Sequence, residues 1–193
     1  EWMLVTPTED DKNELIEFFI FTEDDVYGSD FLATVVKEWE AAHQLVLKQV
    51  TGSVLRISMV LSRHGGSLQL MKLPISLGIG SPIGTGEQTN PWIHIDDLCR
   101  LMLFALDNKL EGTFNALGNN DTNNEMTKRL AKWLKRPLLL PNIPAFVLRL
   151  ILGERAVLVL SDLRASNHKI KQAGFSFKYT SLDSVFKSFF KKR

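Results

Sequence analysis

Between Leu77 and Gly86 the chain places four glycines and one proline in ten residues (Leu77-Gly78-Ile79-Gly80-Ser81-Pro82-Ile83-Gly84-Thr85-Gly86). Such a run excludes a regular element, so the parts on either side are joined by an irregular crossing. After it, Trp92-Ile93-His94-Ile95 reads as a strand over Thr89 to Ile95. The strand leads directly into Asp96-Asp97-Leu98, the start of a helix through Leu101, Met102, Phe104 and Ala105. Carboxylates suit that start, Asp96 as N-cap and Asp97 as first-turn acid beside the positive end of the helix dipole.

The same alternation recurs along the chain. Val50 to Leu61 is rich in branched residues and reads as one strand; Arg63-His64-Gly65-Gly66 turns, and a short helix covers Ser67 to Leu73. Thr113 to Leu117 is a further strand after Gly112. Asn123 caps a helix to about Lys135, with Met126, Leu130, Ala131 and Leu134 on one face. Leu138 to Leu140 reads as a brief strand, followed by helices from about Pro144 and Arg155 and two short ones over 166–173 and 181–190. Upstream, Thr8 caps a helix whose apolar side runs from Leu15 to Phe21. Asp30 caps another, through Phe31, Leu32, Val35, Val36 and Trp39. Strands alternating with helices over short connections predict an α/β fold.

With 45% hydrophobic and 23% charged residues in 193, the composition is that of an ordinary globular chain, not a disordered one. The one cysteine, Cys99, excludes an internal disulfide, fits a reducing compartment (cytoplasm or an organelle), and reads as a small packing residue. The most apolar stretch, Pro144 to Leu160, is interrupted by Arg149, Glu154 and Arg155, so it reads as buried helix and not as a membrane span. The chain opens on Glu1-Trp2 and turns acidic, unlike a secretory signal. Residues 1–30 carry ten acids against one base, and the rest twelve acids against twenty-two bases. The split reads as a solvated acidic head, or as a basic body that attracts an anionic ligand or the head itself. Lys191-Lys192-Arg193 is too short to imply nucleic-acid binding.

Several chemistries fail on spacing. Gly78-x-Gly80-x-x-x-Gly84 carries Pro82 and is followed by polar loop and strand, not by a helix, so it is a cover loop and no dinucleotide cradle. His94 with Asp96 and Asp97 lacks further ligands at metal spacing. No nucleophile elbow is present. No residue is assigned a catalytic role and none a metal.

A set of ordered anchors carries a family resemblance over about nine-tenths of the chain. They are Thr22-Glu23-Asp24 with Asp30-Phe31-Leu32, Lys37-Glu38-Trp39-Glu40, Leu55 to Ser62, Leu77 to Gly86, Trp92 to Leu98, Phe114-Asn115-Ala116, Pro141 to Gly153, and Ala173-Gly174-Phe175. In these the chain resembles the substrate-side half of an extended short-chain dehydrogenase/reductase of the epimerase family. The resemblance implies the C-terminal part of a Rossmann-like fold with a small, mainly helical substrate lobe. Its expected parts are a divergent segment (1–21), a sheet remnant with the substrate loop (22–117) and the C-terminal lobe (118–193).

By the same resemblance, Ile57, Ser58 and Met59 face the nicotinamide of NAD(P), while Arg56, Gln88, Trp92 and His94 border the substrate pocket. Arg56 has a second reading, a structural salt bridge, which stays open. The family's Tyr-x-x-x-Lys, whose lysine lowers the tyrosine pKa, is missing: Tyr27 is followed four residues on by Phe31, and Tyr179 by Asp183. The dinucleotide-binding units are missing too. The expectation is a chain that is inactive and binds no NAD(P) alone, and that pairs with a dinucleotide-binding half, a second copy or a larger assembly. The parent activity would be redox or epimerisation of a small, nucleotide-linked sugar or carbonyl compound. The alternative is a degenerate family member serving as a structural or interaction subunit.

Overall fold

The computed structural model describes residues 20–28, 31–47 and 49–190. The Thr8 cap, the Asp30 cap and the Leu15–Phe19 run fall outside them. Strand β1 (Ile20–Phe21) opens the described chain, so those two residues are extended where the apolar pattern had extended a helix. Helix α1 (Phe31–Leu47) follows, then β2 (Ser53–Ile57), β3 (Met59–Ser62) and the short β4 (Gly65–Gly66). Helix α2 (Ser67–Ser76) precedes the glycine-rich loop. Beyond it come β5 (Thr89–His94), α3 (Ile95–Asp107), β6 (Gly112–Ala116), β7 (Asn119–Thr122) and α4 (Asn123–Leu134). Helices α5 (Ala145–Leu152) and α6 (Val157–Leu160), strand β8 (Arg164–Ala165), and helices α7 (His168–Gln172) and α8 (Leu182–Phe190) complete it.

The branched run near residue 50 is two strands, not one. β2 lies parallel to β6, with Leu55 opposite Phe114 and Ile57 opposite Ala116. One residue later, β3 lies parallel to β5, with Met59 opposite Trp92 and Leu61 opposite His94. Ser58 is the switch: its N–H (3.2 Å) and its hydroxyl (2.9 Å) both donate to the Ala116 carbonyl, closing the first ladder. β7 pairs antiparallel with β5, β4 with β3, and β1 runs parallel to β8. β7 is built from Asn and Asp, residues depleted in strands, so local propensity conceals it.

The strands make two two-stranded sheets, β1-β8 and β2-β6, and a four-stranded sheet in the order β4-β3-β5-β7; helices pack on both sides of β5, whose successive residues feed opposite cores. Trp92 joins Leu61, Leu130, Val185 and Phe186 beneath α2, α4 and α8. Ile93 joins Leu101, Phe114, Ile170 and Phe175 beneath α3 and α7. Complete burial of a side chain of this size stabilises by about 1.5–3 kcal/mol. Phe175 is buried, with Phe177 packed at the edge.

Two helix caps lie earlier than the sequence indicates, that of α3 by two residues and that of α4 by one. His94, not Asp96, caps α3, because its ring nitrogen can accept the Asp96 N–H. Thr122, not Asn123, caps α4 in a reciprocal capping box with Glu125. Leu138 to Leu140 form no strand. Cys99 is exposed on α3, contrary to a packing role. No described helix is long and apolar enough to cross a membrane.

Candidate functional site

In open α/β sheets ligands approach the carboxyl ends of parallel strands. Here those ends are Ile57 on β2 and Ala116 on β6, joined through Ser58. Ile57 and Met59, on either side of the switch, are half-buried, and each packs against a different core. Ser58 itself is buried with its hydroxyl engaged.

Arg56 lies just before the switch and makes the salt bridge that was the second reading of it. Its Nε (2.8 Å) and Nη2 (3.0 Å) donate to the two oxygens of Glu40 on α1. Nη2 also reaches the Tyr27 hydroxyl (3.2 Å), which in turn donates to Glu40. Burial alone would raise the Glu40 pKa, but the Arg56 and Tyr27 hydrogen bonds outweigh it and hold the carboxyl below its ordinary value. Burial and the Glu40 carboxylate push the Tyr27 phenol up. A raised phenol donates a hydrogen bond and keeps its proton, the opposite of a proton-transfer tyrosine.

The glycine-rich loop is stapled rather than loose. Ile83 N–H donates to the Asn123 side chain (2.8 Å), Gly84 N–H to Ile143 O (2.8 Å) and Gly86 N–H to Ile83 O (2.9 Å). Ser81 Oγ binds the carbonyls of Leu140 and Pro141, and Asn142 Nδ2 those of Gly84 and Thr85. Amides spent this way cannot cradle a pyrophosphate.

Gln88, Trp92 and His94 are buried, each with its own partners. Gln88 Nε2 donates to Ile83 O (2.9 Å) and Val159 O (3.3 Å), fastening the loop to α6. Trp92 Nε1 donates to Asp121 (2.7 Å), whose pKa is raised by burial against the opposing effect of that bond. His94 is stacked on Tyr179 (ring centroids 3.7 Å apart) and on Phe189 (4.7 Å). With Arg56 tied to Glu40, these four share no hydrogen-bond partner among the described residues.

The His94 ring carries a pH-dependent contact. Nδ1 accepts the Asp96 N–H (3.0 Å), while Nε2 meets Ser188 Oγ (3.0 Å), whose own proton goes to Val185 O. That pattern needs the neutral ring with its proton on Nε2. Burial lowers the His94 pKa, opposed by Asp96 and Asp97 and assisted by Lys178. The unfolded chain then binds the extra proton more readily than the folded one. The stabilisation is complete above the ordinary pKa of 6.5 and is lost as pH falls below it towards the lowered folded value. Thermal unfolding at stepwise lower pH below 6.5 is expected to show a falling Tm, and His94→Gln to flatten the profile over that range.

Asp97 escaped sequence reasoning as more than a first-turn acid. Wholly buried, it accepts the N–H groups of Lys178 (3.0 Å) and Tyr179 (2.8 Å) and the Arg100 guanidinium (2.6 Å). Glu40, Asn120 and Asn123 were missed as well; their partners lie 16, 45 and 40 residues away in the chain. Among the described residues no three His, Cys, Asp or Glu side chains group to hold a metal.

Residues 143–189 match a domain of unknown function, DUF1731. The mouse "Epimerase family protein SDR39U1" is 34% identical over 190 residues, spanning 96% of this chain and 64% of that protein. The chain belongs to the epimerase family. Its chloroplastic SDR39U1 homologue from Arabidopsis thaliana is 38% identical over 162 residues, 83% of this chain and 46% of that protein. The crystal structure of human SDR39U1 (isoform 2) with NADPH superposes with a TM-score of 0.80 at 30% identity, over 91% of this chain and 61% of that one. A nucleoside-diphosphate sugar epimerase from Corynebacterium glutamicum superposes with a TM-score of 0.72 at 27% identity, over 91% of this chain and 34% of that one. The α/β architecture is thus the Rossmann-like epimerase-family fold, and the chain spans less than two thirds of each of these relatives.

Proposed function

We propose that this chain is the substrate-side lobe of an NAD(P)-dependent, epimerase- or dehydratase-like short-chain dehydrogenase, and that alone it moves neither hydride nor proton. The observation that carries this reading is the state of its two tyrosines. Tyr27 gives its proton to a hydrogen bond with Glu40, and the Tyr179 hydroxyl points at Asp96 from a buried stack. Neither is followed four residues on by a lysine.

The described residues do not fit a dinucleotide cradle, since the amides of Ile83, Gly84 and Gly86 are spent inside the chain. The cradle and the hydride carrier would come from further polypeptide or from a partner. We assign Ile57 and Met59 to the edge that meets the nicotinamide. Arg56, Gln88, Trp92 and His94 act as positioning residues that fix the strand end, loop and helix around a small nucleotide-linked sugar or carbonyl substrate.

The alternative, an interaction subunit of a larger assembly, draws support from α1. Phe31, Trp39, Leu45 and Val46 stand exposed on it, a surface suited to a neighbour. Calorimetric titration of the chain with NADPH and with NADH tests the leading reading. No saturable heat is expected with either; binding at one site per chain, or turnover of a supplied substrate, would sink it.

A further inference from the structure

Helix α2 is apolar on two opposite sides. Leu68 and Ile75 face the core, while Leu70, Leu73 and Leu77, at helical spacing, form a second stripe that is exposed, Leu70 to 78%. Helix α5 repeats the arrangement: Leu148 is buried, and Phe146 and Leu150, four residues apart, stand out, Leu150 to 86%. The loop staples hold the two regions together, because Ser81 Oγ binds the Leu140 and Pro141 carbonyls and Ile83 bridges to Ile143. Ile79, Leu139 and Leu140 are exposed at that junction. Single exposed apolar residues are ordinary, but a band of them marks a contact surface.

Charge identifies the occupant. Residues 126–153 carry six bases and no acid, and residues 63–86 carry Arg63 and Lys72 and no acid. The acids bounding these segments are Glu87, Glu125 and Glu154, and Glu125 is engaged in the α4 capping box. Lys135 and Arg136 are exposed just before Leu139, and Arg149 is exposed between Phe146 and Leu150. Projecting aliphatic and phenylalanine side chains flanked by the exposed bases Lys135, Arg136 and Arg149 fit the headgroup boundary of a bilayer.

We propose that the α2–α5 face is a docking surface that seats the chain peripherally on an anionic lipid bilayer. The apolar stripes enter the headgroup boundary, and Lys135, Arg136 and Arg149 meet the lipid phosphates.

The test is co-sedimentation of the full chain with vesicles of phosphatidylcholine alone and of phosphatidylcholine mixed with phosphatidylglycerol, at about 0.05 and about 0.5 M salt. Sedimentation with the mixed vesicles at low salt is expected, with release at high salt and none with phosphatidylcholine alone. A base near an anionic surface contributes about fivefold, so Lys135→Gln, Arg136→Gln and Arg149→Gln together should lower partitioning about a hundredfold. Phe146→Ser with Leu150→Ser should abolish it, while Leu106→Ser, on the exposed side of α3, should leave it unchanged. Circular dichroism confirms that each variant is folded. Failure to sediment with the mixed vesicles, or equal sedimentation with both kinds, would overturn the proposal. So would a dimer in light scattering that the Phe146/Leu150 variant dissociates, because a second copy would then cover the face.

Discussion

Asp97→Ala is expected to cost about 3–5 kcal/mol of folding stability, because it strands two backbone N–H groups held by a buried carboxylate. The carboxylate has no exposure and ties the first turn of α3 to the segment that leads into α8. Truncation strands two backbone N–H groups, at about 1–3 kcal/mol for each one left unsatisfied. It also leaves Arg100, half-exposed, with its other bond to the Ser176 carbonyl. Asp97→Asn should recover little, because one of its two faces would present N–H to N–H. Urea unfolding followed by far-UV circular dichroism reads the loss; a cost below about 1 kcal/mol, that of an ordinary hydrogen bond, would contradict this account of Asp97.

Gly80→Ala is expected to cost about 3 kcal/mol, at the upper end for overpacking, and to displace the stapled loop. A Cβ at this position would sit 2.4 Å from Ile75 Cγ1, 2.6 Å from Ile75 Cα and 2.8 Å from Ile75 N. Two of these atoms belong to the α2 backbone, so no side-chain rotation relieves the clash. Gly78→Ala is the contrast. A Cβ there meets nothing, but φ of +80° is a left-handed conformation, so about 1–2 kcal/mol is expected from strain alone. Thermal unfolding of both variants separates crowding from strain; equal costs would contradict the close approach of loop and helix.

The Trp92–Leu98 segment was legible because an apolar run leading into paired carboxylates has a local physical meaning. What was hidden depends on distant partners. The break at Ser58 is a change of neighbour from β6 to β5, and no feature of the branched run between Val50 and Leu61 encodes it. His94 caps α3 although histidine is no usual cap, because Ser188, Tyr179 and Phe189 fix its ring. β7 escaped because Asn119, Asn120 and Asp121 look like loop; the Asn120 side chain donates to Ala165 O and Asp121 accepts from Trp92, both far along the chain. The candidate site was legible mainly as position. Resemblance indicated the strand end and the loop, while the ion pair of Arg56 with Glu40 and the staples from Asn123 and Asn142 required the fold.

The central claim is that this lobe works only beside a dinucleotide-binding half. Its most direct test is the intact mass, together with the bound cofactor, of the species isolated from the native source. The account predicts a mass above the 21.9 kDa of this chain, or a second polypeptide held tightly, with NAD(P) carried by that added part. A lone 21.9 kDa species that retains one NAD(P) per chain would contradict it.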